Sequence, residues 1–378
     1  MKAFYYIFFI FLAIMGVNSC IEPFTPPETI TGQGYLVVDG FLNTGNDTSY
    51  ISLRRTQNIQ DNSRPFNVLD ASIYVTTEQG GAVYNFLHTE NGQYILPPQS
   101  FNTDQQYQLN ILLDEELYQS EFVSVSQTPD IDSISYRVDN QQNSVVINVN
   151  THDITNQTRF YRWRFEETHE YVAPYYSALI VKDSVLNGRP SKVIEPRVEN
   201  INRCWQTVVN QNILLGSTIK QSQDAILSLP VNNVPIETNK FLLRYSILVK
   251  QYGLTREAFE YWTTLAKTTQ GTGSLFDPLP SLVTGNIKNI RNKDRLVFGY
   301  FSAGTEKEMR VFIDEGLGQY PRCFPPDTMS KFDERVFYLG SLLLNSHGER
   351  EDSVLVSYGD CADCRLKGGT NIKPAFWL

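Results

Sequence analysis

Cys20 carries the clearest chemistry in the chain. Met1-Lys2 gives a basic start, Ala3 to Val17 an apolar run, and Asn18-Ser19 lead directly into the cysteine. That order is the signature of a bacterial lipoprotein signal peptide, cut before Cys20 and lipidated on its sulfur. The apolar run is shorter than the roughly 20 residues a membrane-spanning helix needs, which makes an uncleaved anchor the weaker reading. A single fatty chain binds membranes only marginally, whereas several hold firmly. A diacylglycerol thioether with an added N-acyl chain therefore predicts stable anchoring. The proline-rich stretch from Ile21 to Glu28 reads as a tether. No Asp follows Cys20, which favours the outer membrane, on its periplasmic or cell-surface face.

Four cysteines remain after processing: Cys204, Cys323, Cys361 and Cys364. An exported chain meets an oxidising compartment, so disulfides are the default. The expected pattern ties the tail to the body, with Cys204 and Cys323 each pairing to one of Cys361 and Cys364. Two alternatives stand beside it. Cys361-Ala362-Asp363-Cys364 has C-x-x-C spacing, which also suits a zinc site using all four thiolates or a redox pair. Only one such pair is present, and it lacks the strand-to-helix setting of a thioredoxin site.

The other chemical candidates are thin. His88, His152, His169 and His347 are far apart, with no H-E-x-x-H spacing. No Gly-x-Ser-x-Gly elbow for a nucleophilic serine occurs. Glu166-Glu167 and Glu170 offer paired carboxylates of the glycosidase type, but neighbouring strand residues point to opposite faces. Phe160-Tyr161-Arg162-Trp163-Arg164-Phe165 alternates ring and guanidinium. Its rings read as core and its arginines as solvated, the alternative being ligand contact by stacking or cation–π attraction. No cofactor and no metal site is expected.

The elements that must hold these residues read as mainly β. The chain has 32 basic and 41 acidic residues with no basic patch, which argues against nucleic acid as a partner. Its 21 Tyr and 22 Phe suit sheets and recognition surfaces. Residues 1–19 are the signal and 20–33 the tether. Residues 34–127 carry about seven short strands with no helix between them. Turns at Gln79-Gly80-Gly81 and Asn91-Gly92 punctuate the run, and the whole predicts an immunoglobulin-like sandwich.

Thr128-Pro129-Asp130 marks a boundary to a second sandwich-like unit, 128–315. Its strands are expected at Ile131 to Val138, Val145 to Val149, Phe160 to Phe165, Leu242 to Val249, Arg295 to Phe301 and Met309 to Ile313. Polar connections are expected around 182–203 and 231–238. One helix, about 255–268, has Thr255 as N-cap, Glu257 in its first turn and an apolar face of Phe259, Trp262, Leu265 and Ala266. The loop Gly271 to Pro278 lacks the order of a phosphate-binding loop. The tail, 316–378, is expected to be pinned by its cysteines onto the second unit.

Several blocks together resemble a Bacteroidota outer-membrane lipoprotein family, domain of unknown function 4249. They are Cys20 to Phe24, Leu36 to Gly40, Tyr161 to Glu167, Cys204-Trp205, Tyr245 to Ile247 and Gln251 to Trp262. Gly273 to Pro278, Gly285 to Ile287 and Cys361 to Trp377 complete the set. The resemblance implies no catalytic residues and an accessory role beside a TonB-dependent outer-membrane transporter. The expectation is a non-enzymatic accessory or ligand-capture lipoprotein. A structural envelope-assembly lipoprotein is the runner-up, and a surface hydrolase ranks last. Partner contact is expected at the helix and the loop after it, through Arg256, Trp262, Lys267 and Phe276.

Overall fold

The computed structural model describes residues 34–57, 66–271, 282–320, 322–329, 336–339 and 354–377. Cys20, Phe276 and most of the loop after the helix lie outside them. The fold is mainly β, in several sheets, with a single α-helix among the described residues.

The first unit is a twelve-stranded sheet folded around one core. Strand Leu36–Asn43 alternates in burial, so Leu36, Val38 and Leu42 point inward beside Ile51, Leu53, Leu109 and Ile111. This period of two is what a pleated strand with one buried face requires. Leu36–Asn43 pairs antiparallel with Ser49–Arg55 on one side. On its other side lies Val297–Gly304, running parallel from Leu36 opposite Val297 to Asn43 opposite Gly304. That strand also pairs parallel with Val123–Ser126. The short strand Ile287–Asn289 joins the same unit against Glu116–Ser120.

Here the structure corrects the expected boundaries. Arg295 to Phe301 was expected as a late strand of the second unit, whereas it completes the first. Parallel neighbours are joined by long crossovers, so sequence adjacency does not reveal which sheet they enter. Gly299 makes the pairing possible. Its φ is +109°, and a Cβ there would fall 1.8 Å from the Val38 carbonyl oxygen.

The second unit packs two sheets face to face. Ile131–Asp139, Ser144–Asp153 and Asp224–Pro235 form one. The other has the order Arg203–Val209, Phe160–Val172, Arg244–Gly253, Glu306–Ile313, with Leu214–Ser217 also on Phe160–Val172. Between them lie Val145, Ile147 and Val149 against Tyr161, Trp163, Phe165, Ile247 and Val249. Gln251 is buried there and fully used. It accepts from Trp163 Nε1 at 2.8 Å and donates to the Pro129 carbonyl at 2.8 Å and Thr151 Oγ1 at 2.9 Å. A buried amide is tolerated only with such partners.

Two of the expected loops are strands. Leu179–Leu186 and Arg189–Pro196 form a hairpin across the stretch expected as a polar connection. Its turn is Asn187-Gly188, with φ of +52° and +74°, the left-handed pair that a two-residue hairpin turn demands. Likewise Asp224–Pro235 runs through most of the expected connection at 231–238. Polar side chains misled there because these strands have an exposed face. The hairpin belongs to a small sheet with Val336–Tyr338, Val354–Tyr358 and Asp327–Met329.

The tail packs on the second unit. Cys204 bonds Cys364, and Cys323 bonds Cys361. Cys361 and Cys364 thus go to different partners, Cys364 to the body and Cys361 to the start of the tail, which replaces both the zinc and the redox alternatives. Thr370 bridges Trp205, the Tyr171 hydroxyl donates to the Cys364 carbonyl at 2.7 Å, and Trp377 Nε1 donates to Glu170 at 3.2 Å. This cover explains why Glu167, Thr168, His169, Glu170 and Tyr171 are all buried on a strand that alternates further back.

The helix, Arg256–Thr269, forms where expected. Thr255 caps it by accepting from the Ala258 amide at 3.2 Å. Its apolar side buries Ala258 and Trp262 among Phe160, Tyr252, Leu254 and Tyr300. It therefore touches both units at once.

Candidate functional site

The long strand Phe160–Val172 sorts its residues by parity. Tyr161, Trp163 and Phe165 enter the core of the second unit. Arg162 and Arg164 lie on the opposite face, where they line a cleft toward the first unit. The rings are core, as expected, but the arginines are not simply solvated. The guanidinium carbon of Arg162 sits 3.5 Å from the centroid of the Trp262 ring. Its Nε is buried without a hydrogen-bond partner.

Two adjoining cavities make up the cleft. One, about 280 Å³, is lined by Val37, Asp39, Arg162, Arg164, Asn210, Tyr261, Trp262 and Tyr300 among others. The second, about 290 Å³, includes Asp39, Tyr50, Arg54, Arg164, Lys250, Tyr252 and Glu306. Asp39 and Arg164 line both. The first unit supplies Asp39, Arg54 and Tyr300. The second supplies the arginine strand and Lys250, and the helix supplies Tyr261 and Trp262. Tyr261 and Tyr300 stack across this junction, centroids 4.8 Å apart at 29°.

Burial and neighbouring charge act on several groups of the cleft. Burial pulls the Arg162 guanidinium below its ordinary value, with Asp39 opposing, yet a guanidinium stays charged at any physiological pH. Burial also opposes charge on Lys250, but Glu306 and Glu308 outweigh it and hold the ammonium above its usual range. Lys250 Nζ lies 2.7 Å from Glu306. Burial raises Tyr252 well above 10, helped by the Glu306 carboxylate to which its hydroxyl donates. Burial pushes Tyr261 and Tyr300 up to about 12. The described lining contains no His and no Cys. The cleft can therefore hold and orient an anionic group.

The residues singled out from sequence are placed differently from one another. Trp262 forms part of the cleft wall and is buried, which withdraws it from a protein-docking surface. Arg256 is exposed at the start of the helix, 5.3 Å from the Phe160 ring centroid. Lys267 is exposed in its last turn. Glu166 and Glu167 diverge as expected: Glu167 is buried with Lys240 and Tyr245, and Glu166 faces Arg310. Among the described residues no three His, Cys, Asp or Glu side chains gather as metal ligands. Sequence reasoning missed Asp39, Arg54, Lys250 and Tyr252, because four separate segments bring them together. The one available signal was the alternation that put Arg162 and Arg164 on a common face.

This is a mainly β protein of two packed units with a basic, aromatic-walled cleft between them. The chain belongs to the family described as domain of unknown function DUF4249, whose family model matches residues 21–310. No curated protein matches it.

Proposed function

We propose that this chain is a lipid-anchored, non-catalytic binding protein of the bacterial outer membrane. In this reading Cys20 holds it at the membrane, the tether lifts it, and an immunoglobulin-like first unit presents the cleft. It partners a TonB-dependent transporter and captures part of the cargo there. One observation carries the binding reading. Arg162 and Arg164 stand in an inter-unit cleft without a carboxylate bonded to either. A cleft with unsatisfied charge suits ligand capture. The membrane address rests on the signal-and-cysteine order at residues 1–20. The transporter partnership rests on what the family resemblance implies.

The test is genetic. Deleting the gene should impair a TonB-dependent uptake, and the wild-type chain should restore it where Cys20→Ser does not. Uptake unchanged by the deletion removes the transport reading and leaves a structural envelope role.

A further inference from the structure

The cleft allows its ligand class to be named, an inference that rests on the ligand-capture reading above. Several arginines elsewhere in the molecule have carboxylate partners, among them Arg55 with Asp114, Arg203 with Glu170, Arg244 with Asp314, Arg295 with Glu116 and Arg365 with Glu199, whereas Arg159, Arg197 and Arg291 bond carbonyl or hydroxyl oxygens and Arg256 packs on the Phe160 ring. Arg54, Arg162 and Arg164 make no hydrogen bond or ion pair with the described residues, and all three line the cleft. Two acids of the cleft are already engaged, Glu166 by Arg310 and Glu306 by Lys250. Asp39 is the acid of the described lining without an ion pair. In a chain of net charge −9 this is a local excess of positive charge.

Two orphan atoms sharpen the picture. Arg162 Nε is a buried donor and Asn210 Oδ1 a buried acceptor, each without a partner, and both residues line the same cavity. Neither atom has accessible surface, so a molecule in the cavity meets these two residues through their other atoms. Trp262, Tyr261 and Tyr300 supply flat apolar walls beside them. The volume, about 280 Å³, lies near the lower end of small-molecule pockets at roughly 300–1,000 Å³.

We propose that the cleft binds a small molecule through an oxyanion group, carried on a flat or apolar body. Guanidinium groups match carboxylate and phosphate oxygens in geometry as well as charge, which is why the oxyanion is the anchoring part.

Calorimetric titration of the full chain in mild detergent tests this with three probes: 4-hydroxybenzoate, its neutral analogue 4-hydroxybenzamide, and inorganic phosphate. The carboxylate should bind about tenfold or more tightly than the amide, and Arg164→Gln or Arg54→Gln should each weaken it about tenfold. Neither variant removes a described internal bond, so both should keep the wild-type melting temperature. Arg189→Gln, at the distant hairpin turn, should leave binding unchanged. Phosphate binding that needs Arg164 would also support the site and identify phosphate rather than carboxylate as its anion. Equal affinity for benzoate and amide, or indifference to both arginine changes, overturns the proposal. So does failure of both anions to bind at millimolar concentration. Anion binding with no transporter dependence in the uptake assay would leave the site standing and sink the transport reading, and the reverse pair of results would do the opposite.

Discussion

Arg162 lies over the indole ring of Trp262, its guanidinium carbon 3.5 Å from the ring centroid, and this contact joins the long strand of the second unit to the helix. Cation–π contacts of a desolvated arginine contribute about 2 kcal/mol or more. Trp262 is also the largest side chain the helix buries. Trp262→Ala should therefore cost about 3–5 kcal/mol through lost burial and the cavity left behind. Trp262→Phe, which keeps a ring under Arg162, should cost much less. Urea unfolding of the two variants measures both, and equal losses would show that the ring contact contributes nothing.

The two disulfides close loops of unequal length, 160 residues for Cys204–Cys364 and 38 for Cys323–Cys361. On the chain-entropy model they stabilise by about 5 and about 4 kcal/mol respectively. Cys204 and Cys364 are also fully buried beside Tyr171, whereas Cys323 and Cys361 are partly accessible. Mild reductant should open Cys323–Cys361 first. Timed alkylation with peptide mapping reads the order, and simultaneous or reversed opening would contradict it.

His169 is buried with both ring nitrogens unpartnered. Burial, reinforced by the Lys240 charge and opposed by Glu167, pulls its pKa down to about 4 from 6.5. Above pH 6.5 the ring is neutral in both folded and unfolded chains. As pH falls from 6.5 toward 4, the unfolded chain takes up a proton that the folded chain refuses, so stability is lost across that window, up to about 3 kcal/mol. Exposed His152, raised by its hydrogen bond to Asp132, acts in the opposite direction. Comparison with His169→Leu isolates the effect. The wild type should lose more stability than the variant between pH 7 and pH 4, and parallel pH curves would sink the assignment.

Gly299 admits the parallel strand beside Leu36–Asn43. Gly299→Ala places a methyl group against the Val38 carbonyl at a φ that alanine rarely adopts. The expected cost is about 2 kcal/mol or more, with early exchange of the amides of Val297–Gly304. A variant of wild-type stability and protection would show that the strand is held some other way.

Local features were readable where local chemistry decides them. Thr255 and the apolar spacing through Trp262 announced the helix, and the ring–arginine alternation announced which face of Phe160–Val172 is core. The cysteines pair as long-range links because the tail has little else to hold it. Pairing between distant segments left no such trace. Nothing near Val297 tells that it completes a sheet begun at Leu36. Asn187-Gly188 carried a hairpin signal that the polar residues around it masked. The cleft was half legible: Arg162 and Arg164 share a face by sequence alone, but Asp39, Arg54 and Lys250 reach them only through the packing of two units.

The helix surface offers a separate probe of partner contact. Arg256 and Lys267 are exposed and outside the cleft lining. Arg256→Glu with Lys267→Glu should weaken complex formation in the membrane while leaving the unfolding free energy within about 0.5 kcal/mol of wild type. Unchanged complex yield would move the contact surface elsewhere.

The central claim is the proposal that this chain is a lipoprotein and works on a TonB-dependent transporter. The most direct measurement is a pull-down of the full chain from its native outer membrane in mild detergent, with the recovered proteins identified by mass spectrometry. The account predicts a large TonB-dependent barrel recovered in near-stoichiometric amount with the wild-type chain and lost with Cys20→Ser. Recovery of the chain alone, or of the same proteins with and without the lipid anchor, would contradict it.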